Sequence, residues 1–205
     1  MLSLGVALYK DFELLDVYGP LEMFGSLAED IRIITIAEAA GPVASTQGPE
    51  TVASESFATA PKLDLLLVPG GIGTIGELGN QAYLDFLCER APDAQVVMSV
   101  CSGSALLAKA GLLDGKRATS NKMFFNLATS QSDAVQWVES ARWVSDGKMV
   151  TSSGVSAGID MALAVIADLF GIERAEEVAT LTEYQWHKDA DSDPFVAYLN
   201  QGNPG

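Results

Sequence analysis

Short apolar runs alternate along the chain with longer segments in which apolar residues recur every three or four positions. The short runs predict buried strands, and they lie at Ser3–Tyr9, Asp30–Ala37, Leu65–Val68 and Gln95–Val100. The longer segments predict amphipathic helices, and they lie at Leu14–Leu27, Gln81–Arg90, Gly103–Ala110, Ala157–Phe170 and Ala175–Tyr184. We expect an early interruption of the first helix at Gly19-Pro20, because proline lacks the N–H that a helix interior needs.

Smaller features complete the pattern. The stretch Gly41–Ser54 is dotted with Gly, Pro, Thr and Val, which predicts a short hairpin or loop excursion. Segments around Arg117, Trp143 and Met149–Ser152 predict later strands, and the polar tail after His187 is expected to wrap the surface. Apolar strands separated by helices are typical of an α/β domain whose mostly parallel sheet is covered on both faces.

Composition narrows the classes of function. The chain has 205 residues, 48% of them hydrophobic, which favours a single packed domain over residues 1–205. Its formal net charge of −15 argues against binding to nucleic acid or to an anionic membrane, so a small-molecule substrate is the expected partner. No targeting segment or membrane span is visible in the sequence. Two cysteines and one histidine, without ligand spacing, predict a reducing cytoplasm and no metal site.

Candidate chemistry follows the ends of the predicted strands, where sites form in folds of this kind. Cys101 lies between an apolar strand and a small-residue helix. A nucleophile on such a turn lies near the N–H groups of the helix start, which predicts a thiol pKa below the ordinary value of ~8.5. A buried structural cysteine is the alternative. Cys88 lies inside a helical pattern and is expected to be a packing residue.

Glycines follow the third strand. The N–H groups of Gly70 and Gly71, together with that of Ser102, could point at an anion and form an anion-binding pair. Any tight turn also uses glycine, so these glycines alone are weak evidence for an anion-binding site. The evidence becomes stronger because Cys101 occupies the turn after the next strand.

Asp16 is the candidate acid. It opens a predicted helix, where Asp commonly caps the N-terminus, but a carboxyl group near Cys101 could instead hold or transfer a proton. The sequence leaves both interpretations open. The competing acids, Asp11 and Glu13, are expected to be solvated. His187, the only histidine, has polar neighbours that indicate a surface position rather than a general base.

Six motifs occur in a fixed order that is more specific than any one of them. They are Leu15-Asp16-Val17-Tyr18-Gly19-Pro20, Leu67-Val68-Pro69-Gly70-Gly71, Ser99-Val100-Cys101-Ser102-Gly103, Leu106 through Ala110-Gly111-Leu112-Leu113, Arg117-Ala118-Thr119-Ser120, and Ser153-Gly154-Val155-Ser156-Ala157-Gly158-Ile159-Asp160. Together they resemble the ThiJ/PfpI superfamily of class I glutamine amidotransferase-like proteins over nearly the whole chain. Within it, the sequence is most similar to the isonitrile (isocyanide) hydratase group and to the ligand domains of AraC-type regulators.

The resemblance implies a flavodoxin-like three-layer sandwich with a strand–Cys–helix nucleophile elbow, and a homodimer. It implies Cys101 as nucleophile and Asp16 as acid–base partner, with developing negative charge bound by the backbone around Gly71 and Ser102. Val155 would lie on the apolar wall of the pocket. The implied reaction is hydration of an isocyanide to an N-formamide through a Cys101 thioimidate, a lyase chemistry that needs no cofactor.

Two departures from the family pattern qualify the resemblance. Ser102 stands where peptidase members carry histidine and hydratases usually carry threonine, which argues against protease activity. Asn121-Lys122 replaces a His-Trp pair, which changes the pocket rim and leaves the substrate open. A ligand-sensing domain, a stress protein in which Cys101 is oxidised, and an enzyme for another small electrophile are the alternatives.

Overall fold

A computed structural model describes residues 1–202, in which seven strands form one main sheet. The strands are β1 (Leu2–Ala7), β2 (Ile31–Ala37), β3 (Gly41–Ala44), β4 (Glu50–Ala53), β5 (Glu55–Ser56), β6 (Leu65–Val68), β7 (Val96–Ser99), β8 (Arg117–Ala118), β9 (Gln136–Trp137), β10 (Trp143–Asp146) and β11 (Met149–Ser152). The helices are α1 (Leu14–Gly25), α2 (Thr74–Glu77), α3 (Gln81–Arg90), α4 (Gly103–Lys109), α5 (Phe125–Thr129), α6 (Ala157–Phe170) and α7 (Ile172–Leu181), followed by a 3₁₀ turn at Pro194–Tyr198.

The main sheet has the strand order β10-β11-β7-β6-β1-β2-β5. Its neighbouring strands run parallel except β10, which runs antiparallel to β11. The central strand β6 is buried along its whole length, as its continuous Leu65–Val68 sequence predicts. β3 and β4 form the separate hairpin expected at Gly41–Ser54.

The helices form a layer on each side of the sheet. α6 packs against both α1 and α7, and α2 to α5 pack together as a second group around α4. The architecture is therefore the expected flavodoxin-like α/β sandwich. The expectation of a single domain over 1–205 stays a prediction, since residues 203–205 lie outside the described part of the chain.

Four predicted elements, β6, β11, α3 and α6, have the bounds that the sequence indicates. The expected interruption of α1 is wrong, because the helix runs through Pro20. Tertiary packing accounts for this: Gly19 lies so close to α6 that an added Cβ would be 2.7 Å from Ile159 Cγ1. The last helix begins at Ile172 rather than Ala175, directly after Gly171 with its φ of +95°.

Two properties of residues 1–202 bear on function. None of their helices has the length and apolarity needed to cross a bilayer. No group of three or more His, Cys, Asp and Glu side chains in this part of the chain could hold a metal ion.

Candidate active site

The sheet order brings three chain segments to one edge. β6 pairs with β1 on one side and with β7 on the other, all parallel, so their carboxyl ends are neighbours. After β1 the chain adds β2 on one side of β1. It later adds β6 on the other side of β1, and the following strands of the main sheet extend from β6. The segments that follow β1, β6 and β7 therefore meet at a topological switch point, the usual location of a site in an open α/β sheet.

Cys101 lies on the sharp turn between β7 and α4. Its backbone has φ +57°, a left-handed conformation that a non-glycine residue rarely adopts. Hydrogen bonds hold it there: its N–H donates to the Ser153 carbonyl at 3.1 Å, and its own carbonyl accepts from the hydroxyls of Ser104 and Ser120. The strained turn presents the sulfur at the edge of the sheet, as the elbow prediction requires.

Several donors face the Cys101 sulfur. The Asn121 side-chain amide donates to Sγ at 3.1 Å. The backbone N–H groups of Ser102 and Val155 favour the thiolate and lower the pKa of Cys101. Val155 therefore contributes a backbone donor as well as the predicted wall. It carries its own left-handed φ of +46°.

The expected low pKa of the Cys101 thiol is wrong. Burial raises this pKa well above its ordinary value, and the neighbouring Asp16 carboxylate raises it further. The donors from Ser102, Asn121 and Val155 lower it by less. The sequence argument counted the helix N-terminus but not the desolvation of a thiol that is 7% exposed.

Asp16 lies in the first turn of α1 and is fully buried. The helix cap is Glu13, so the N-cap interpretation of Asp16 is wrong. One carboxyl oxygen, Oδ2, accepts a hydrogen bond from the Gly70 N–H at 2.9 Å. Within residues 1–202, Oδ1 has no such partner.

The protonation of Asp16 follows from its surroundings. Burial raises the pKa of Asp16 to about 8, and the Glu13 carboxylate also raises it. The Gly70 N–H, which hydrogen-bonds to the carboxylate, and the neighbouring Cys101 thiol oppose this and lower the pKa of Asp16. At neutral pH the side chain is therefore mostly a carboxylic acid beside the thiol, and it can donate a proton.

The glycine turn after β6 does not offer the anion-binding pair that the sequence predicts. The Gly70 N–H is taken by Asp16, and the Gly71 N–H donates to Ser102 Oγ at 3.1 Å. The turn is also tight: a Cβ on Gly70 would lie 2.6 Å from the Ser102 nitrogen. Glycine is needed here for close packing on the elbow and for holding Asp16.

The Ser102 hydroxyl belongs to a buried chain of hydrogen bonds. Tyr9 donates its O–H to the Pro69 carbonyl, so its oxygen accepts from Thr74, which in turn accepts from Ser102. Ser102 thus ties the glycine turn to the elbow with its hydroxyl, while its backbone N–H faces the sulfur.

A cavity of about 750 Å³ opens above the sulfur. Its walls are mainly apolar, and they are formed by Ile72, Ile75, Met123, Phe124, Leu127 and Val155. Polar groups from Glu13, Thr46, Asn121, Asn126 and Asn200 complete the lining, together with Gly71, Cys101, Ser102 and Gly202. A small molecule with an apolar body and a reactive end directed at Cys101 fits this arrangement.

Several lining residues escaped the sequence prediction. Glu13 is half-buried, lines the cavity and accepts a hydrogen bond from Gln47 at 2.7 Å. Lys122 is buried rather than at the rim, and only its neighbour Asn121 reaches the cavity. Asn200 also lines the cavity, and only the path of the C-terminal tail in the structure identifies it as a lining residue.

Two other candidates lie elsewhere. His187 is exposed, and its Nε2 faces the Ser192 carbonyl at 3.2 Å, as its polar neighbours indicate. Cys88 is exposed on α3, so its expected packing role is wrong. Neither residue lines the cavity.

Several known proteins are similar to this chain in sequence or in fold. The profile of the DJ-1/PfpI family matches residues 3–168. The isonitrile hydratase of Pseudomonas putida is 35% identical over 183 residues, which cover 89% of this chain and 78% of that enzyme. A crystal structure of a ThiJ/PfpI family protein from Pseudomonas syringae is 34% identical with a TM-score of 0.81, covering 94% of this chain and 76% of that one.

A regulator is also similar. The HTH-type transcriptional regulator GbdR of Pseudomonas aeruginosa is 30% identical over 189 residues, which cover 89% of this chain but 51% of the regulator. The chain therefore spans about half of that protein's length.

Proposed function

The chain belongs to the DJ-1/PfpI family, and from this premise we propose that it is a cysteine-dependent enzyme that hydrates an isocyanide to an N-formamide. The observation that carries the proposal is the pairing of a buried, protonated Asp16 with Cys101 beneath an apolar cavity. An isocyanide has an apolar body and one electrophilic terminal carbon, so it needs a nucleophile and a proton donor at the same point. The relative named isonitrile hydratase supports this choice of substrate class.

The first half of the reaction forms a thioimidate. Cys101 reacts as its thiolate, which the raised pKa makes a minor form at neutral pH. The thiolate attacks the terminal carbon of R–N≡C and forms the S–C bond. The electron pair left on that carbon takes the proton of Asp16, which becomes a carboxylate. The adduct is R–N=CH–S–Cys101.

The second half consumes water. The Asp16 carboxylate takes one proton from a water molecule as its oxygen bonds to the thioimidate carbon. The other proton of that water ends on nitrogen while the C–S bond breaks. The product is R–NH–CHO, and both the Asp16 acid and the Cys101 thiolate are restored.

Turnover with purified protein tests this proposal. We expect simple alkyl and aryl isocyanides to yield the matching N-formamide, and Cys101→Ala to abolish the product. Asp16→Asn keeps the shape of the side chain but cannot donate an acid proton, so the rate should fall at least ~100-fold. Cys88→Ser, on the exposed face of α3, is the matched control and should keep full activity. Absence of formamide with the folded wild-type protein would reject the substrate.

A second candidate rests on the donors around the sulfur. The Asn121 amide and the N–H groups of Ser102 and Val155 could hold the oxygens of an oxidised cysteine. Two equivalents of hydrogen peroxide would convert the thiolate to a sulfinate and release two waters. Peroxide titration followed by peptide mass analysis distinguishes a stoichiometric sensor of this kind from a hydratase.

We also infer a homodimer and a cytoplasmic location for this protein. Leu15 and Tyr18 are 41% and 44% exposed. They lie three residues apart on α1, where side chains are neighbours on the helix surface, so they form one exposed apolar patch. Both cysteines are free thiols, which supports a reducing compartment.

A further inference from the structure

The Asn121 side chain is fixed in one orientation. Its Oδ1 accepts a hydrogen bond from the Phe124 backbone N–H at 3.1 Å. A backbone N–H can only donate, so the amide oxygen must face Phe124 and the NH₂ group must face Cys101 Sγ, which lies 3.1 Å from Nδ2. The site thus has a neutral donor aimed at the nucleophile.

The adjacent residue, Lys122, turns away from the cavity into the protein. Its side chain is 1% exposed, and its Nζ donates to the Ala141 carbonyl at 2.6 Å and to Thr119 Oγ1 at 2.7 Å. An ammonium group this buried requires a counter-charge. Asp193 Oδ2 lies 3.8 Å away and makes no hydrogen bond within residues 1–202.

The C-terminal tail supplies that counter-charge and also binds the loop through its backbone. The Asn200 N–H donates to the Lys122 carbonyl at 2.8 Å, and the Gly202 N–H donates to the Met123 carbonyl at 2.9 Å. The tail therefore holds the segment that follows Asn121 in two ways. Asp193 pairs with the Lys122 side chain, and tail N–H groups bind the main-chain carbonyls of Lys122 and Met123. It also forms one wall of the cavity.

We propose that Asn121 is a catalytic donor to the Cys101 sulfur, and that the buried Lys122–Asp193 ion pair is the positioning device that keeps it there. The C-terminal tail thereby sets the reactivity of a nucleophile that follows a distant strand. The inference rests on the proposed function only in taking Cys101 as the reacting group. It does not depend on the identity of the substrate.

Alkylation of Cys101 tests the first half independently of isocyanide turnover. In a Cys88→Ser background, the iodoacetamide rate against pH reports the reactivity and the apparent pKa of Cys101 alone. Asn121→Ala removes the donor and should slow alkylation at pH 8 about tenfold, the usual worth of a hydrogen bond to a charged group. Asn121→Asp keeps the shape but places a carboxylate at the sulfur, and should slow it more.

A double-mutant cycle tests the second half. Lys122→Met keeps the length of the side chain and removes its charge, and we expect it to slow alkylation several-fold. If Lys122 acts through Asn121, the same change in an Asn121→Ala background should alter the rate by less than about twofold. Asp193→Asn removes the other charge of the pair but retains an acceptor for the Phe195 N–H. The same double-mutant cycle is measured with this variant, and it tests the positioning role if Lys122→Met does not fold.

The outcomes separate the possibilities. Lys188→Met, which breaks an exposed ion pair with Glu176, is the control and should leave the rate unchanged. Wild-type alkylation in both Asn121 variants would overturn the donor role. An equal loss from Lys122→Met with and without Asn121 would overturn the positioning role and leave a merely structural one. If the double-mutant cycles give the expected results but the protein hydrates no isocyanide, the proposed function is rejected and this inference stands.

Discussion

Asp16 is kept in its acid form by burial, and this has a consequence for stability. Its pKa is raised from 3.8 to about 8 in the folded protein, while the unfolded chain ionises near the ordinary value. Between these two pKa values the folded state binds a proton that the unfolded state has lost. The free energy of unfolding therefore falls as pH rises from about 4 to about 8, and this penalty is absent below that window.

Asp16→Asn should stabilise the protein at neutral pH. The substitution keeps an acceptor for the Gly70 N–H and removes the ionisable group, so at pH 7 the gain has an upper limit of ~4 kcal/mol. Denaturant unfolding at pH 5 and pH 8 measures it, with the gain larger at pH 8. Asp168→Asn, at an exposed position on α6, is the control and should show no such trend. A variant less stable than wild type at pH 8 would contradict the protonated state of Asp16.

The Cys101 thiol should titrate above ordinary cysteine. Burial raises its pKa, and the Asp16 carboxylate adds to the shift. Asp16→Asn removes that negative charge and should lower the pKa of Cys101, which alkylation rates against pH can measure in a Cys88→Ser background. A wild-type thiol pKa below ~8.5 would support the helix-terminus argument instead.

At the residue scale, the sequence predicted where the site residues lie in the fold better than it predicted their burial and hydrogen bonding. It placed Cys101 on the turn and Asp16 after the first strand, because strand ends and turn residues are local features. It failed on the pKa of Cys101 and on the free N–H groups of Gly70 and Gly71, since both depend on side chains brought in from distant segments.

The elbow between β7 and α4 depends on close backbone contact with the end of β6. A Cβ on Gly103 would lie 2.3 Å from the Val68 carbonyl oxygen and 2.8 Å from that of Pro69. These contacts are with main chain, which cannot rotate away as a side chain can. The separation of the two loops at the site is therefore set by glycine.

Gly103→Ala should destabilise the protein and displace the elbow. We expect a loss of ~2 kcal/mol or more in the free energy of unfolding, in the range of overpacked sites. Gly76→Ala is the matched control on α2, where no atom lies within 4 Å of the added carbon. It should be neutral or stabilise by up to ~1 kcal/mol. Equal effects in the two variants, measured by denaturant unfolding, would contradict the close contact at Gly103.

Strongly periodic elements were predictable and the tail was not. The apolar period of α6 and the run of β6 define those elements locally. The tail takes its path from main-chain bonds such as Asn200 N–H to the Lys122 carbonyl and from the pairing of Asp193 with Lys122. Such long-range pairings leave no period in the sequence.

On the scale of the whole molecule, the alternation of strands and helices predicted the sandwich and the edge of the sheet that carries the site. The order of the strands in the sheet could not be predicted from the sequence, because it depends on which side of β1 each later strand joins the sheet. The site exists only because β6 inserts between β1 and β7.

The proposed dimer makes a prediction at the same scale. Sedimentation should give twice the mass of the chain, and Leu15→Lys should shift it toward the monomer by placing a charge in the apolar patch. Leu181→Lys, at a position 72% exposed on α7, serves as the control and should not. A monomer at all concentrations would reject the patch as an interface.

The central claim is that Cys101 bonds to the substrate carbon while Asp16 moves the protons. Rapid quenching of the protein with one equivalent of an aryl isocyanide, followed by mass analysis of the Cys101 peptide, tests it most directly. We predict that the peptide gains the mass of one isocyanide and loses it as formamide appears. Formamide that accumulates without any adduct, or at the same rate in Cys101→Ala, would contradict the account.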